Sequence, residues 1–254
     1  MSLPRTPSFR LDGKRALVTG GTRGIGLGAA VALAEAGAAV TIAARTAADI
    51  ETLVNDMAGA GLSAEGVALD ITDVATVQAF VADMEPFQIL VNSAGTARHS
   101  SFADITPENY QAVMDLNLSA TLFVSQAVVA RLVESGLPGS IIHISSQMGH
   151  VGGPTRAVYA ASKFAVEGLS KAMAIELGPH NIRVNTVCPT FIETELTAKN
   201  LSNPEFRAWV LSKIKLGRLG RIEDIMGPIV FLASDASGLV TGASLLVDGG
   251  WTAE

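Results

Sequence analysis

Tyr159 and Lys163 stand four residues apart in Tyr159-Ala-Ala-Ser-Lys163, which puts a phenol and an ammonium on one face of a helix. Such a pair alone is common and usually carries no function. Ser146, thirteen residues before the tyrosine at the end of an apolar run, makes it specific, and Asn117 lies on the helix before that run. These types suit proton transfer at a carbonyl or alcohol oxygen: Tyr159 gives a proton when a carbonyl is reduced and takes it back when an alcohol is oxidised. An unperturbed tyrosine titrates near pH 10, and a neighbouring ammonium favours the phenolate and brings that value down. The expectation is therefore a lowered Tyr159 pKa.

Reducing a carbonyl also needs a hydride, and a second motif fits its carrier. Thr19-Gly-Gly-Thr-Arg-Gly-Ile-Gly26 follows a β-rich run and opens a helix. Glycines there let the backbone turn tightly against a pyrophosphate, which sits at the positive helix N-terminus. Gly20, Thr22, Arg23, Gly24, Ile25 and Gly26 are the candidate contacts. A Walker loop is excluded because no Gly-Lys-Ser/Thr follows. An acidic residue closing the second strand would hold the ribose of NAD; here Ala44-Arg45-Thr46 stands instead. Arg45 can pair with a ribose 2′-phosphate, with Arg23 approaching the same group. The cofactor expected is NADP(H) rather than NAD(H). The bland alternative is two solvated surface arginines.

The elements that must position these residues alternate along the chain. Strands are expected at Arg15–Thr19, Ala39–Ala43, 62–69, 88–91, Ser140–Ile144, 182–187 and Ser244–Val247. Helices are expected at 25–36, 47–58, 74–84, 108–134 and 158–177, with Thr106-Pro107 as cap and first residue of the long one. Strands separated by such helices pair in parallel through right-handed crossovers. The fold class is α/β: one doubly wound, Rossmann-type parallel sheet of about seven strands with helices on both faces, and residues 1–254 read as a single domain.

Composition bounds the rest. The chain has 254 residues, 48% hydrophobic and 17% charged, with a net charge of -6, which excludes a disordered tail and argues against a nucleic-acid surface. Cys188 is the only cysteine, and His99, His143, His150 and His180 show no ligand spacing, so no disulfide and no metal are expected. The N-terminal residues carry prolines and charges without an apolar signal core, and no apolar run near the length of a membrane span is evident. The expectation is a soluble, cytoplasmic protein without a membrane partner.

The spacing Thr-Gly-x-x-x-Gly-x-Gly, with Asn117, Ser146, Tyr159 and Lys163, resembles the short-chain dehydrogenase/reductase family, and the likeness runs along nearly the whole chain. It implies an Asn-Ser-Tyr-Lys tetrad in which Lys163 also holds the nicotinamide ribose, Ser146 donates to the substrate oxygen and Asn117 supports a proton relay. Asp70, with Ile71 beside it, resembles the family aspartate at the adenine; a plain helix-cap aspartate is the alternative. Asn92-Ser-Ala-Gly95 matches Asn-Asn-Ala-Gly with Ser93 replacing the second asparagine, which assigns Asn92, Ala94 and Gly95 to the cofactor channel and to bracing the sheet. In Cys188-Pro-Thr-Phe-Ile-Glu-Thr194, Pro189, Ile192 and Thr194 match the segment that holds the nicotinamide amide, while Thr190 replaces a glycine. Residues 196–216, with Phe206 and Trp209, stand where relatives carry a lid, and Gln147, His150 and Arg156 lie between Ser146 and Tyr159. The substrate candidates are thus Ser146, Gln147, His150, Arg156 and Trp209, although helix packing accounts for the aromatics more readily.

Three stretches, Ala44-Arg-Thr-Ala-Ala-Asp-Ile50, Ser145-Ser-Gln147 and Glu176-Leu-Gly-Pro-His-Asn-Ile-Arg-Val184, are similar to the L-xylulose/dicarbonyl reductase branch and are shared with polyol, gluconate and 3-oxoacyl reductases. The implied activity is reduction of a sugar, polyol or diketone-type carbonyl, or its reverse, with a 3-oxoacyl thioester as an alternative substrate. Epimerase, dehydratase and enoyl-reductase chemistry fit the Tyr/Lys spacing and chain length less well, and a non-catalytic NADP(H) sensor would lack the tyrosine or lysine. The resemblance also implies a homotetramer.

Overall fold

The computed structural model describes residues 3–254, apart from the side chain of Lys199. β1 (Arg15–Thr19), β2 (Ala39–Ala44), β3 (Ala64–Ala68), β4 (Ile89–Asn92), β5 (Gly139–Ile144), β6 (Ile182–Pro189) and β7 (Ser244–Val247) form one sheet. Its order is β3-β2-β1-β4-β5-β6-β7. Every pairing is parallel. The order reverses between β1 and β4, where loops diverge and leave a crevice at the carboxyl ends of the strands.

Strand residues alternate between two cores, as the pleat requires. Ala16, Val18, Val40, Ile42, Ile89, Val91 and Ile142 face α1 (Gly24–Glu35) and α9 (Glu223–Ala233). Leu17, Leu90, Ile141 and Val184 face α3 (Val74–Asp83), α5 (Ala120–Ser135) and α6 (Ala157–Leu177). Burial on both faces explains why the central strands β1 and β4 read as largely apolar runs. α2 (Ala47–Gly59) covers the edge by β3.

Four features depart from the sequence reading. Helix α9 was not anticipated; Pro228 sits inside it and masks its periodicity. The long helix expected at 108–134 is α4 (Pro107–Met114), a π turn at Asp115–Ser119, and then α5. Thr106 caps α4 as expected, its hydroxyl accepting from the Asn109 N–H at 3.2 Å. Contrary to the reading of apolar runs, the stretch Pro107–Ser135 is long and apolar enough, by length and composition, to cross a membrane. Its buried side packs on α3, α6 and the sheet. Residues 196–216 hold two further helices, α7 (Glu195–Leu201) and α8 (Pro204–Lys213).

Candidate active site

β5 delivers Ser145 and Ser146 to the crevice, and α6 packs across β5 and β6 with Tyr159 and Lys163 on its buried side. Lys163 is only 6% exposed, and its Nζ donates to the Ile144 carbonyl at 2.8 Å. That bond pins the ammonium to the end of the strand that carries the serines. Burial lowers Lys163 to about 8 against the opposing pull of Cys188 and Glu167. Lys163 Nζ is 5.7 Å from the centre of the Tyr159 ring. The Ser146 hydroxyl donates to Gln147 Oε1 at 2.8 Å and accepts from the Met148 N–H at 3.1 Å. Ser145 lies instead on the side of Glu167 and Cys188, so the thirteen-residue offset picks the serine that acts on Tyr159.

The expected lowering of Tyr159 is not what the protein alone produces. Burial raises the phenol, and the Ser146 hydroxyl and the Arg156 guanidinium pull against it without prevailing. At this distance the lysine is not the group that moves the tyrosine.

Asn117 sits in the π turn, 1% exposed. Its Oδ1 accepts from the Thr96 N–H at 2.8 Å, and its Nδ2 donates to the Thr96 carbonyl and to Ser162 Oγ, both at 3.0 Å. Its side chain is therefore spent on fixing the loop after β4. Gly95 on that loop lies against Asn117 and Lys163. The same loop carries His99, whose ring meets Tyr159 edge-on at 6.2 Å between centroids. Although part of the ring is exposed, loss of water contact and the Arg156 charge lower it to about 4. Sequence reading missed His99; its one signal was a place on a loop at the carboxyl edge of the sheet. It missed Glu167 too, although that residue falls one helical turn past Lys163 on the same face.

At the other end of the crevice, Gly20 adopts φ 65° and an added Cβ on Gly26 would lie 2.2 Å from the Gly20 carbonyl oxygen, so the turn closes only with glycine at both. α1 begins at Gly24 with no side-chain cap and no acidic residue in its first turn, leaving N–H groups for an anion. Thr22 and Ile25 flank that start. The Thr194 side chain lies against Gly24. Arg23 is largely exposed, 3.9 Å from Glu195. Arg45 and Thr46 are exposed between β2 and α2, and Arg45 is near enough to Asp70 to help hold that carboxyl low, after its hydrogen bonds from Thr72. Asp70 thus also closes its own turn, accepting from the Thr72 N–H at 3.0 Å, with Ile71 buried beside it.

Other candidates turn inward. Asn92 Nδ2 donates to Ser125 Oγ at 2.9 Å, which braces β4 against α5, and Thr19 Oγ1 accepts from the N–H groups of Ser93 and Ala94 at 3.2 and 3.4 Å. Pro189 is buried at the end of β6, and Ile192 is a core residue bridged to Gly220. Thr190 donates its N–H to the Val247 carbonyl at 3.2 Å and has no positive φ, so threonine fits where a glycine was expected.

At the substrate end, Gln147 is buried against Ser146. His150 turns away, toward Cys188 Sγ at 3.4 Å and Glu167 Oε1 at 3.8 Å. The fold thus brings together three potential ligand side chains that their spacing did not foretell. Burial and the Glu167 charge push the Cys188 thiol up to about 12, so it donates to that carboxylate. Trp209 packs between Phe206 and Trp251, with centroids at 5.6 and 5.5 Å, in an aromatic cluster that includes Phe191. That is the packing role its spacing favoured.

A family model described as Enoyl-(Acyl carrier protein) reductase matches residues 20–252. D-erythrulose reductase of Gallus gallus is 44% identical over 245 residues, 96% of this chain and 98% of its own. The chain belongs to the short-chain dehydrogenase/reductase family. Gluconate 5-dehydrogenase of Gluconobacter oxydans (strain 621H) is 37% identical over 248 residues, 96% of each protein. The crystal structure of a gluconate 5-dehydrogenase from Burkholderia cenocepacia J2315 in complex with NADP and tartrate has a TM-score of 0.93 and 38% identity, covering 97% of this chain and 98% of that one. This short-chain dehydrogenase/reductase carries Asn117, Ser146, Tyr159 and Lys163 at the four expected positions, with serine at 93 and threonine at 190.

Proposed function

We propose that this chain reduces a ketone or aldehyde of a sugar, polyol or related small carbonyl compound to an alcohol with NADPH, and runs the reverse oxidation with NADP⁺. The observation that carries this reading is the convergence of Ser146, Tyr159 and Lys163 at the carboxyl edge of the sheet, in the crevice that begins at the uncapped N-terminus of α1. The relatives' names, sugar and polyol reductases and dehydrogenases, support the substrate class.

The residues fit the cofactor. The glycine turn admits a pyrophosphate, Arg45 is an exposed cation at the end of β2 that makes no ion pair among the described residues, and Pro189 to Thr194 line the route from sheet to α7. When bound, the nicotinamide supplies or accepts the hydride. Tyr159 gives the proton to the substrate oxygen, Ser146 donates a hydrogen bond to that oxygen as charge develops, and Lys163 would hold the ribose hydroxyls. Asn117 acts by fixing the Thr96 loop beside Lys163. The remaining assignments to cofactor, Asp70, Ile71, Asn92, Ala94 and Gly95, and to substrate, Gln147, His150, Arg156 and Trp209, belong to the same proposal, with His150 and Trp209 acting through packing.

Following NADPH absorbance with ketoses, diketones, keto sugar acids and 3-oxoacyl thioesters tests the reaction. Turnover of a ketose, diketone or keto sugar acid supports it; tight NADPH binding without any oxidation overturns it in favour of a sensor. Tyr159→Phe is expected to lower kcat by about 10²–10⁴-fold with NADPH affinity kept; retained turnover refutes the assignment. Arg45→Asp is expected to lower the NADPH/NADH preference by roughly 10–100-fold, the value of about 1.5–3 kcal/mol for a charge-assisted hydrogen bond. An unchanged preference would show that Arg45 does not read the 2′-phosphate.

The single seven-stranded sheet supports reading residues 1–254 as one domain. We also propose a cytoplasmic homotetramer. Its support is apolar surface left open on α5, α6 and β7, with Ile175 at 81% and Phe164 at 49% exposure beside Val133 and Leu246.

A further inference from the structure

Arg156 stands three residues before Tyr159, just ahead of the first turn of α6, and is only 7% exposed. Among the described residues its guanidinium makes no ion pair. Its Nη1 donates to the Pro154 carbonyl at 3.3 Å and to Thr155 Oγ1 at 3.0 Å. Its flat faces lie against aromatic rings, 5.4 Å from the centre of Phe206 and 5.9 Å from that of Phe191. Nε and Nη2 have no partner among the described residues, and neither atom is sealed from solvent. Those two N–H groups form the edge of a guanidinium whose spacing matches the oxygens of a carboxylate.

A charge in this position is costly to keep. Withdrawing a guanidinium from water without a counter-ion loses several kcal/mol, and stacking on rings returns only about 1–2 of them. A structural arginine would be expected to pair with a neighbouring carboxylate, and among the described residues none acts on it: the groups it acts on are the Tyr159 phenol, which it favours as phenolate, and His99, whose pKa it helps to lower. The aromatic rings lie against the guanidinium, the Pro154–Thr155 turn occupies Nη1, and the remaining edge is free among the described residues, on a side chain that acts on Tyr159.

We propose that Arg156 receives a carboxylate of the substrate, so that the natural substrate pair is a keto acid and the corresponding sugar acid rather than a neutral ketose and polyol. This rests on the reading that Tyr159 protonates a carbonyl oxygen in this crevice.

Binding separates this inference from the reaction itself. D-gluconate and D-glucitol differ by a carboxylate against a hydroxymethyl group, and calorimetric titration of each into the NADP⁺-saturated protein reads that difference directly. D-gluconate is expected to bind at least tenfold more tightly, Arg156→Gln to erase the difference, and Arg156→Lys to restore part of it. Equal affinity for the two in the wild type, or an equal loss for both in Arg156→Gln, overturns the proposal and leaves Arg156 as a packing residue of the aromatic cluster. Turnover of 5-keto-D-gluconate is measured alongside. If gluconate binds through Arg156 while neither 5-keto-D-gluconate nor L-xylulose is reduced, the carboxylate site stands and the proposed reductase reading falls.

Discussion

Glu167 lies one helical turn below Lys163, 5% exposed, and is held ionised by the hydroxyls and thiol around it. Thr186 Oγ1 donates to it at 3.1 Å and Cys188 Sγ at 3.3 Å, with Ser244 Oγ on the same oxygen as Thr186. This buried carboxylate helps keep the proton on Lys163, whose burial favours losing it near pH 8. A lysine with a lowered pKa is charged below that value and neutral above it, so kcat/KM for a carbonyl substrate should fall on the alkaline side with an apparent pKa near 8. Removing the anion lowers the lysine further. Glu167→Gln is therefore expected to move the alkaline limb to lower pH, and a limb that stays in place would sever the link. Residue by residue, the tetrad was legible because its four members are polar types at fixed offsets. Glu167 and His99 were not, since each gains its meaning from a neighbour that only the fold supplies. The direction of the Tyr159 shift was also beyond reach, because spacing reports that a lysine is near but not how much water the phenol has lost.

At the scale of elements, the strand-turn-helix at residues 15–35 is the most demanding piece of backbone. An added methyl on Gly26 would collide with the Gly20 carbonyl, which the parallel pairing of β1 with β2 and β4 holds fixed. Gly26→Ala should lower thermal stability by about 1–3 kcal/mol, the usual range for overpacking, and weaken NADPH binding by more than the stability loss alone explains. Calorimetric unfolding with and without NADPH measures both, and a variant that gains as much stability from NADPH as the wild type would refute this. Boundaries of the strands could be read within a residue or two, most plainly for β1 and β4, which burial on both faces makes largely apolar. α9 escaped because Pro228 interrupts the pattern, α7 because seven residues are too few to show a period, and α8 because its aromatic residues pack without a clean apolar stripe. The π turn had no sequence signature at all.

For the whole molecule, a seven-stranded parallel sheet buries its centre but leaves helix faces of α5 and α6 with unmet apolar surface. Light scattering should give a particle of about four chain masses, and Ile175→Asp should shift it to smaller species while the far-ultraviolet circular dichroism is kept. A wild-type monomer would remove the proposed assembly. The net charge of -6 keeps such a particle soluble without opposing an anionic ligand, since the local cations Arg45 and Arg156 act at far shorter range than the mean charge.

The π turn at Asp115–Ser119 reaches further than the one side chain it carries. Positions four apart drift by about 40° per step around an α-helix, and one wider turn takes up that drift. Val113, Asn117, Thr121 and Ser125 consequently all stay buried along one line. Thr121 donates to the Asn117 carbonyl at 2.9 Å, Ser125 to the Thr121 carbonyl at 2.6 Å, and Asn92 to Ser125, with His143 Nδ1 3.1 Å from the Asn92 amide. The result is a polar seam sewn through an oily interior, from the loop after β4 to the middle strands. Its stitches have few other partners to choose, so the register between that helix and the sheet is set by hydrogen bonds that hydrocarbon packing could not have told apart.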